Sequence, residues 1–343
     1  MTKNVIKIID VHTHMYYPKY MNLLRKRTNI PKIIKTHDNE ERLVILPNEN
    51  NIGRPIGREY WDVNEKIKFM DNHNIDVSII SLANPWLDFL TDNDNPVKFA
   101  NMLNNDLHNM CLDKENRLFG YGVLPMNDVN FGKNEIKNIS MLKNLKGIIL
   151  GTSGYGKGLD DPNMDIIYEE IEKNNLVLFI HPHYGIKGEN LSKYGHSLEL
   201  SLGFPFETSI AISKLILSGV MDRFPKLKIL VSHSGGTLPY LIGRLDSCVK
   251  YEKNIVKSLK KLPSDYLKDL YYDSIIYNAD CLKLLKNLVG IDNIMYGSDH
   301  PFFPPLIDKN WESVTKIQEI IPNEFKTKIF YKNAENLFNI KNE

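Results

Sequence analysis

The sequence contains little cysteine and almost no excess of charge. Its 343 residues include three cysteines, Cys111, Cys248 and Cys281, too few and too scattered for the disulfide framework of a small secreted domain. The 43 Lys and Arg residues nearly cancel the 42 Asp and Glu residues. That balance argues against a surface built to lie along nucleic-acid phosphates or an anionic membrane. We therefore expect a small-molecule substrate and a reducing compartment, the cytosol.

Long apolar runs are a second feature that we do not find in the sequence. We find no stretch that approaches the roughly 20 apolar residues needed to span a bilayer. Residues 1–10 do not show a charged segment followed by an apolar stretch and a cleavage site, which is the pattern of a secretory signal. We accordingly expect neither a membrane partner nor a nucleic-acid partner.

The sequence does contain a series of short apolar runs rich in Val and Ile, separated by segments with apolar residues at helical spacing. Continuous rather than alternating hydrophobicity is typical of parallel strands covered on both faces. Eight strands alternating with helices predict a (β/α)8 TIM barrel, whose active site lies at the carboxyl ends of the strands. We expect residues 1–343 to form one such domain, and the fourth strand has the weakest pattern. The expected strands are 7–11, 77–82, 119–124, 147–150, 177–180, 229–232, 270–273 and 294–296. The expected helices are 64–73, 97–111, 164–173, 209–221, 238–250 and 280–288.

Residues 15–60 form a long polar excursion between the first strand and its helix. The segment carries four prolines, Pro18, Pro31, Pro47 and Pro55. A connection of this length inside a compact domain is usually functional or disordered. We expect it to be inserted over the mouth of the barrel; a surface insertion without function is the alternative.

Histidine and aspartate stand where four of the expected strands end. The first strand ends at His12 and His14, which point the same way because residues i and i+2 share a face of a strand. The fifth strand ends at His181, the sixth at His233 and the eighth at Asp299. Each histidine alone is better explained by a structural role. Because four strands place such residues at the same rim of the barrel, a functional role is favoured for the set. Imidazole nitrogens with one carboxylate oxygen suit Zn²⁺ and similar divalent ions.

A series of short segments, in this order, resembles the amidohydrolase superfamily over nearly the whole chain. The resemblance is to the branch of 2-amino-3-carboxymuconate-6-semialdehyde decarboxylase and related nonoxidative decarboxylases. The segments are Asp-Val-His-Thr-His at 10–14, Gly-Arg-Glu-Tyr-Trp-Asp at 57–62, Leu-Asn-Asn-Asp-Leu at 103–107, Gly-Val-Leu-Pro-Met at 122–126, His-Pro at 181–182, Gly-Phe-Pro-Phe-Glu-Thr at 203–208, Gly-Val-Met-Asp-Arg-Phe-Pro-Lys-Leu-Lys at 219–228, Ser-His-Ser-Gly-Gly at 232–236 and Gly-Ser-Asp-His-Pro-Phe at 297–302.

The resemblance implies roles for the residues at the strand ends. His233 matches the acid/base histidine, and Asp299 matches a residue that both binds the metal and takes part in catalysis. We expect one divalent ion, Zn²⁺ before others, because the fourth strand ends in Gly-Thr at 151–152 without the lysine or glutamate that bridges two metals. The implied ligands are His12, His14, His181 and Asp299.

Two arginines are also implied by the resemblance. Arg54, seven residues before Trp61, matches an arginine that would hold the substrate carboxylate, since guanidinium offers a planar, bidentate grip. Arg58 competes with it for that role. Arg244 matches an arginine that reaches the site of a neighbouring subunit, which implies a homodimer; an exposed helix arginine is the alternative.

The activity implied is decarboxylation of 2-amino-3-carboxymuconate 6-semialdehyde, a step of tryptophan catabolism by the kynurenine route. The chain departs from that enzyme at 193–200, where it lacks the tryptophans that line the pocket and carries extra residues. A salicylate-, resorcylate- or orsellinate-like acid is therefore an alternative substrate. Metal-dependent hydrolysis of a lactone or amide is a second alternative. A catalytically silent barrel that serves as a metal-binding or scaffold protein is a third.

Overall fold

Eight parallel strands form the centre of the protein in the computed structural model. They are hydrogen-bonded in chain order. The strands are β1 (Ile9–Met15), β2 (Val77–Leu82), β3 (Leu118–Gly122), β4 (Leu145–Gly151), β5 (Val177–His181), β6 (Lys228–Val231), β7 (Tyr271–Asp273) and β8 (Ile294–Met295). The structure describes residues 7–45, 49, 53–114, 116–186, 191, 194, 197–252, 254, 258–302 and 310–340.

The sheet nearly closes on itself between β8 and β1. The Val11 amide donates to the Tyr296 carbonyl at 2.9 Å, and the Ser298 and Asp299 amides donate to the His12 carbonyl at 3.2 and 2.8 Å. Every residue of β1, β2, β3 and β5 is buried, as expected for parallel strands covered on both faces. The expected TIM barrel is confirmed, and so are its eight strands, including the fourth.

Helices surround the barrel and begin mostly at residues suited to that position. Asp62, Asp128 and Asn278 each accept hydrogen bonds from amides of the first helical turn. The described helices are Pro18–Lys26, Val63–Asn72, Pro96–Leu112, Val129–Met141, Asp165–Lys173, Phe204–Leu217, Val220–Arg223, Leu238–Tyr251, Pro263–Tyr266, Ala279–Val289, Glu312–Ile320, Asn323–Thr327 and Asn333–Phe338.

The excursion at 15–60 has secondary structure of its own. The helix Pro18–Lys26 is followed by a small antiparallel sheet of the strands Lys32–Lys35, Glu41–Val44 and Arg54–Pro55. Pro47, one of its four prolines, lies outside the described residues. The position of this segment over the barrel mouth, and the assignment of the chain to one domain, stay predictions.

One helical stretch among the described residues is long and apolar. Residues Glu199–Leu217 have the length and mean hydropathy, 1.3, of a membrane span, and 39% of that window is buried. This is weak evidence for a membrane, because core helices have the same composition. Leu202, Phe206 and Ile210 are exposed on this stretch. The expectation that the protein has no membrane partner stays a prediction.

Candidate metal centre and active site

The first strand brings two imidazoles to one point. His12 and His14 are fully buried on β1, and their Nε2 atoms lie 3.0 Å apart. The register between β1 and β2 shifts between Asp10 and Thr13, so that His14 then pairs with Ser81. Two ring nitrogens this close are favourable only with a proton or a cation between them, because their lone pairs otherwise repel.

A different neighbour fixes the Nδ1 atom of each of three histidines. His12 Nδ1 lies 2.6 Å from a carboxylate oxygen of Asp273, and His14 Nδ1 lies 2.7 Å from the Ser81 hydroxyl. His181 Nδ1 lies 2.8 Å from the Pro182 carbonyl, which makes it a donor, and its Nε2 is buried without a hydrogen-bond partner. Such contacts on one ring nitrogen leave the other as a free ligand.

Asp299 completes the cluster from the segment that follows β8. Its Oδ1 lies 3.5 Å from His12 Nε2 and 3.3 Å from His14 Nε2. One ligand atom from each of four buried residues lies within 4.8 Å of the other three, and those residues are His12, His14, His181 and Asp299. Three imidazoles and a carboxylate in this arrangement fit one divalent cation with room for a further ligand. Among the described residues this is the single group of its kind.

The electrostatics of the cluster favour neutral His14 and His181 rings beside an ionised carboxylate. Burial lowers the pKa of His14 to about 4 and the pKa of His181 well below its usual value. Burial alone would raise the pKa of Asp299, but hydrogen bonds from His14 and His233 and the charge of His12 hold it well below the usual range. For His12, the hydrogen bond and charge of Asp273 outweigh burial and raise the pKa. The carboxylate and the His14 and His181 rings are therefore in the states that bind cations.

His233 lies beside the cluster and outside it. It is 15% exposed, and its Nε2 lies 3.6 Å from Asp299 Oδ2. Its φ of 52°, followed by 54° at Ser234, makes a tight turn after β6 that turns the ring towards the centre. The ring lies 5.2 Å from the His12 ring and 5.3 Å from the His181 ring, measured between centroids. A histidine here can exchange protons with a bound molecule.

Asp273, at the end of β7, is a residue that the sequence reasoning missed. Its Oδ2 contacts His12 Nδ1 and accepts from the His233 amide at 2.8 Å, and its Oδ1 accepts from the Ser234 amide at 2.8 Å. One buried carboxylate thus orients His12 and anchors the turn that carries His233. Its position as a carboxylate at the carboxyl end of a barrel strand was the available signal.

A cavity of about 580 Å³ opens onto the cluster. His181, His233 and Asp299 form part of its wall. Much of the remaining wall is apolar or neutral, and it includes Asn84, Leu200, Phe204, Ile275, Ile276, Tyr277 and Phe302. The size and lining suit a small, flat organic molecule whose polar group points at the cluster.

Arg54 and Arg58 lie in different environments. The Arg54 guanidinium lies 5.6 Å from the centre of the Phe302 ring, which lines the cavity. Burial raises the pKa of Tyr16 and of Tyr60, and the nearby charge of Arg54 partly opposes that rise. Arg58 is 65% exposed and pairs with Asp62 at 2.5 Å. The structure thus brings Arg54, rather than Arg58, to the edge of the cavity.

Arg244 does not line the cavity. It is exposed on the helix Leu238–Tyr251, which also exposes Leu241 at 40% and Tyr240 at 80%. This helix packs beside Phe204–Leu217, the helix that exposes Phe206 and Ile210. The two helices together present an exposed apolar surface with an arginine in it.

Comparison with known proteins assigns the family. The family described as Amidohydrolase matches residues 9–340. A 2-amino-3-carboxymuconate-6-semialdehyde decarboxylase of Dictyostelium discoideum is 28% identical over 295 residues, covering 86% of this chain and 81% of its own. A gamma-resorcylate decarboxylase of Rhizobium sp. (strain MTP-10005) is 26% identical over 290 residues, covering 80% and 86%. The crystal structure of Metarhizium anisopliae IDCase in apo form has a TM-score of 0.92 and 38% identity, covering 97% of both chains. This chain therefore belongs to the amidohydrolase family.

Proposed function

We propose that this protein is a nonoxidative decarboxylase, a carboxy-lyase that uses one divalent metal ion. The observation that carries the proposal is the convergence of three Nε2 atoms and the Asp299 carboxylate at the wall of a cavity that His233 also lines. The similarity to curated decarboxylases over at least 80% of the chain supports this reaction type. In the proposal His12, His14, His181 and Asp299 are the metal ligands.

The donor set supports Zn²⁺ as the first metal to test. Three imidazoles and one carboxylate suit zinc, but they also accept other first-row divalent ions. Manganese is present in a solved structure of a similar protein, a 5-carboxyvanillate decarboxylase of Novosphingobium aromaticivorans. A bound divalent ion would act as a Lewis acid towards an oxygen or nitrogen of the substrate.

His233 is the residue we propose to move the proton. In decarboxylation the bond to the carboxyl carbon breaks, its electron pair stays on the substrate carbon, CO2 leaves, and a proton takes the vacated position. His233 Nε2 lies at the cavity wall and 3.6 Å from Asp299 Oδ2, so the carboxylate can stabilise the ring when it is protonated. In this scheme Asp299 serves both as a ligand and as the partner of His233.

Arg54 is the side chain we propose to hold the leaving carboxylate. Its guanidinium lies against Phe302, and among the described residues it forms no ion pair with a carboxylate of the chain. A planar cation at the edge of the cavity offers a substrate carboxylate two hydrogen bonds. We keep Arg244 of a second subunit as the other candidate, since it is exposed and does not line the cavity of its own chain.

The first substrate we propose is 2-amino-3-carboxymuconate 6-semialdehyde, converted to 2-aminomuconate 6-semialdehyde and CO2. Its carboxyl group stands on an unsaturated carbon next to a carbon that bears nitrogen. The names of the resorcylate and methylsalicylic acid decarboxylases describe a carboxyl group next to a ring hydroxyl. The largely apolar cavity favours such aromatic acids as a second candidate class.

We further propose a homodimer in the cytosol. The exposed Phe206, Ile210, Tyr240 and Leu241 lie on two neighbouring helices together with Arg244, and apolar patches of this kind commonly lie at subunit contacts. All three cysteines are free, which fits a reducing compartment.

The test is turnover by the metal-loaded protein. Purified protein is stripped with a chelator, reloaded with Zn²⁺ or Mn²⁺, and incubated with the muconate semialdehyde, 2,6-dihydroxybenzoate or 6-methylsalicylate while CO2 release and substrate absorbance are followed. We expect CO2 in proportion to substrate consumed for one of these acids, and none from the stripped protein. Hydrolysis of a lactone without CO2 release from any acid would contradict the proposal.

A further inference from the structure

Lys66 is a lysine with no exposed surface, on the helix Val63–Asn72. Its Nζ donates to the Thr13 hydroxyl at 2.7 Å and lies 2.5 Å from His300 Nδ1. A buried amine is costly unless it is hydrogen-bonded. Neither Lys66 nor its two partners line the cavity described above, so substrate contact does not explain this side chain.

The two partners of Lys66 belong to the two segments that supply the clustered side chains. Thr13 stands between His12 and His14 on β1, and His300 directly follows Asp299. These segments are also bonded to each other, because the Thr13 hydroxyl and the His14 amide donate to the His300 carbonyl at 3.0 and 2.7 Å. Lys66 thus joins the end of β1 to the end of β8 where the barrel closes.

The segment around Asp299 needs such support because its backbone is strained. Asp299 has a φ of 57°, in the left-handed region, which a non-glycine residue keeps only when its surroundings hold it there. On one side, Asp10 accepts from the Ser298 amide at 3.0 Å and from the Ser298 hydroxyl at 2.6 Å. On the other side, Lys66 holds His300. The Asp299 carboxylate is therefore fixed from both flanks.

The His300 ring is itself packed in one orientation. It stacks on Phe69 with ring centroids 3.7 Å apart and contacts Trp311 at 4.4 Å. With the ring held in this way, Nδ1 faces Lys66. It can accept a hydrogen bond from the Lys66 amine whether that amine is charged or neutral. The contact is therefore a directional link between a helix on the outside of the barrel and the segment that carries Asp299.

We propose that Lys66 is a positioning residue for the cation site, holding Asp299 at the distance from the His12 and His14 Nε2 atoms that a single ion requires. The inference rests on the metal centre of the proposed function. Lys66 acts through Thr13 and His300 and touches neither ion nor substrate. Residues that orient ligands in this way commonly change metal affinity by about 10- to 100-fold.

The experiment measures Mn²⁺ affinity of the chelator-stripped protein by titration against a fluorescent chelator. Lys66→Met keeps the length of the side chain and removes its hydrogen bonds. We expect about 10- to 100-fold weaker Mn²⁺ binding by protein whose circular dichroism matches that of the wild type. The matched control is Lys146→Met, at a half-buried lysine of β4 whose amine lies over Phe119, and it should bind Mn²⁺ like the wild type.

Two further results test the proposal if Lys66→Met is less stable than the wild type or does not fold. Wild-type affinity in folded Lys66→Met, with only a lower melting temperature, would reduce Lys66 to a structural role and overturn the proposal. If Lys66→Met does not fold, Thr13→Val and Thr13→Ser replace it, and equal Mn²⁺ affinity in these two variants would also overturn it. A wild-type protein that binds no divalent ion would instead contradict the metal centre itself.

Discussion

The orientation of single imidazole rings decides what this centre can bind. His12, His14 and His181 each have Nδ1 engaged by a different kind of group, a carboxylate, a hydroxyl and a carbonyl. Each contact leaves Nε2 available, and the three Nε2 atoms converge with Asp299. His233 differs because its Nδ1 is buried without a partner while its Nε2 faces Asp299 at 3.6 Å. This difference separates the proposed ligands from the proposed proton carrier.

Replacing His233 by alanine tests that separation. We expect His233→Ala to retain the metal content of the wild type, because His233 lies outside the four-residue cluster. Turnover should fall by about 10²- to 10⁴-fold, the usual contribution of a general acid or base. Metal analysis of the purified variant, together with its CO2 release, checks both parts. Loss of metal in this variant would make His233 a ligand.

Arg54 gives a second prediction at the level of one side chain. We expect Arg54→Gln to raise KM for the carboxylate substrate by about 10- to 100-fold, because the substitution removes hydrogen bonds to a charged group. Arg58→Gln is the matched control, because Arg58 is exposed and pairs with Asp62 away from the cavity. Steady-state kinetics of both variants decide between the two arginines. A larger effect at Arg58 would reverse the assignment.

At the level of elements, the turn after β6 determines where His233 lies. Gly236 has a φ of 66°, and a Cβ there would meet the Pro205 carbonyl oxygen at 2.3 Å. We expect Gly236→Ala to lower the free energy of unfolding by about 1–3 kcal/mol, because backbone strain and the close contact both destabilise the folded state. Gly243→Ala is the control, since its Cβ would meet nothing within 4 Å and a helical glycine is less stable than alanine.

Urea unfolding of Gly236→Ala and Gly243→Ala measures the free energy of unfolding of each variant. Gly243→Ala should be as stable as the wild type or more stable. Gly236→Ala should also lose activity at temperatures where it stays folded, because the turn also carries His233. Unchanged stability of Gly236→Ala would mean that the turn shifts to accept a side chain.

The elements that the sequence predicts well are those whose pattern is local. Continuous apolar runs identified all eight barrel strands, and polar residues at four strand ends identified the cluster. The helix Val129–Met141 escaped prediction because its buried face includes Gly132 and Glu135, which interrupt the apolar spacing. Asp273 and Lys66 escaped because their partners are remote in the chain: His12 is 261 residues from Asp273, and His300 is 234 residues from Lys66. Contacts of that kind depend on closure of the barrel, so the position of Asp273 at a strand end was a signal of a site residue but did not identify its partners.

At the scale of the whole molecule, the helices Phe204–Leu217 and Leu238–Tyr251 pack beside each other, and both expose apolar side chains. Only 39% of the apolar window Glu199–Leu217 is buried within one chain. Arg244 stands in the same surface, exposed beside Leu241. A second copy of the chain would cover the apolar side chains, and twofold symmetry would carry each arginine towards its neighbour.

Mixing two inactive variants tests this arrangement. If His233 serves its own chain and Arg244 serves the other, a mixed dimer of His233→Ala and Arg244→Ala has one site with both residues intact. Co-refolding equal amounts should then restore about a quarter of wild-type activity, since about half of the dimers are mixed and one of their two sites is complete. The pair His233→Ala with Asp299→Ala should restore none, because both residues belong to the same chain's centre. Activity that stays at the level of the separate variants would mean that Arg244 does not cross between subunits.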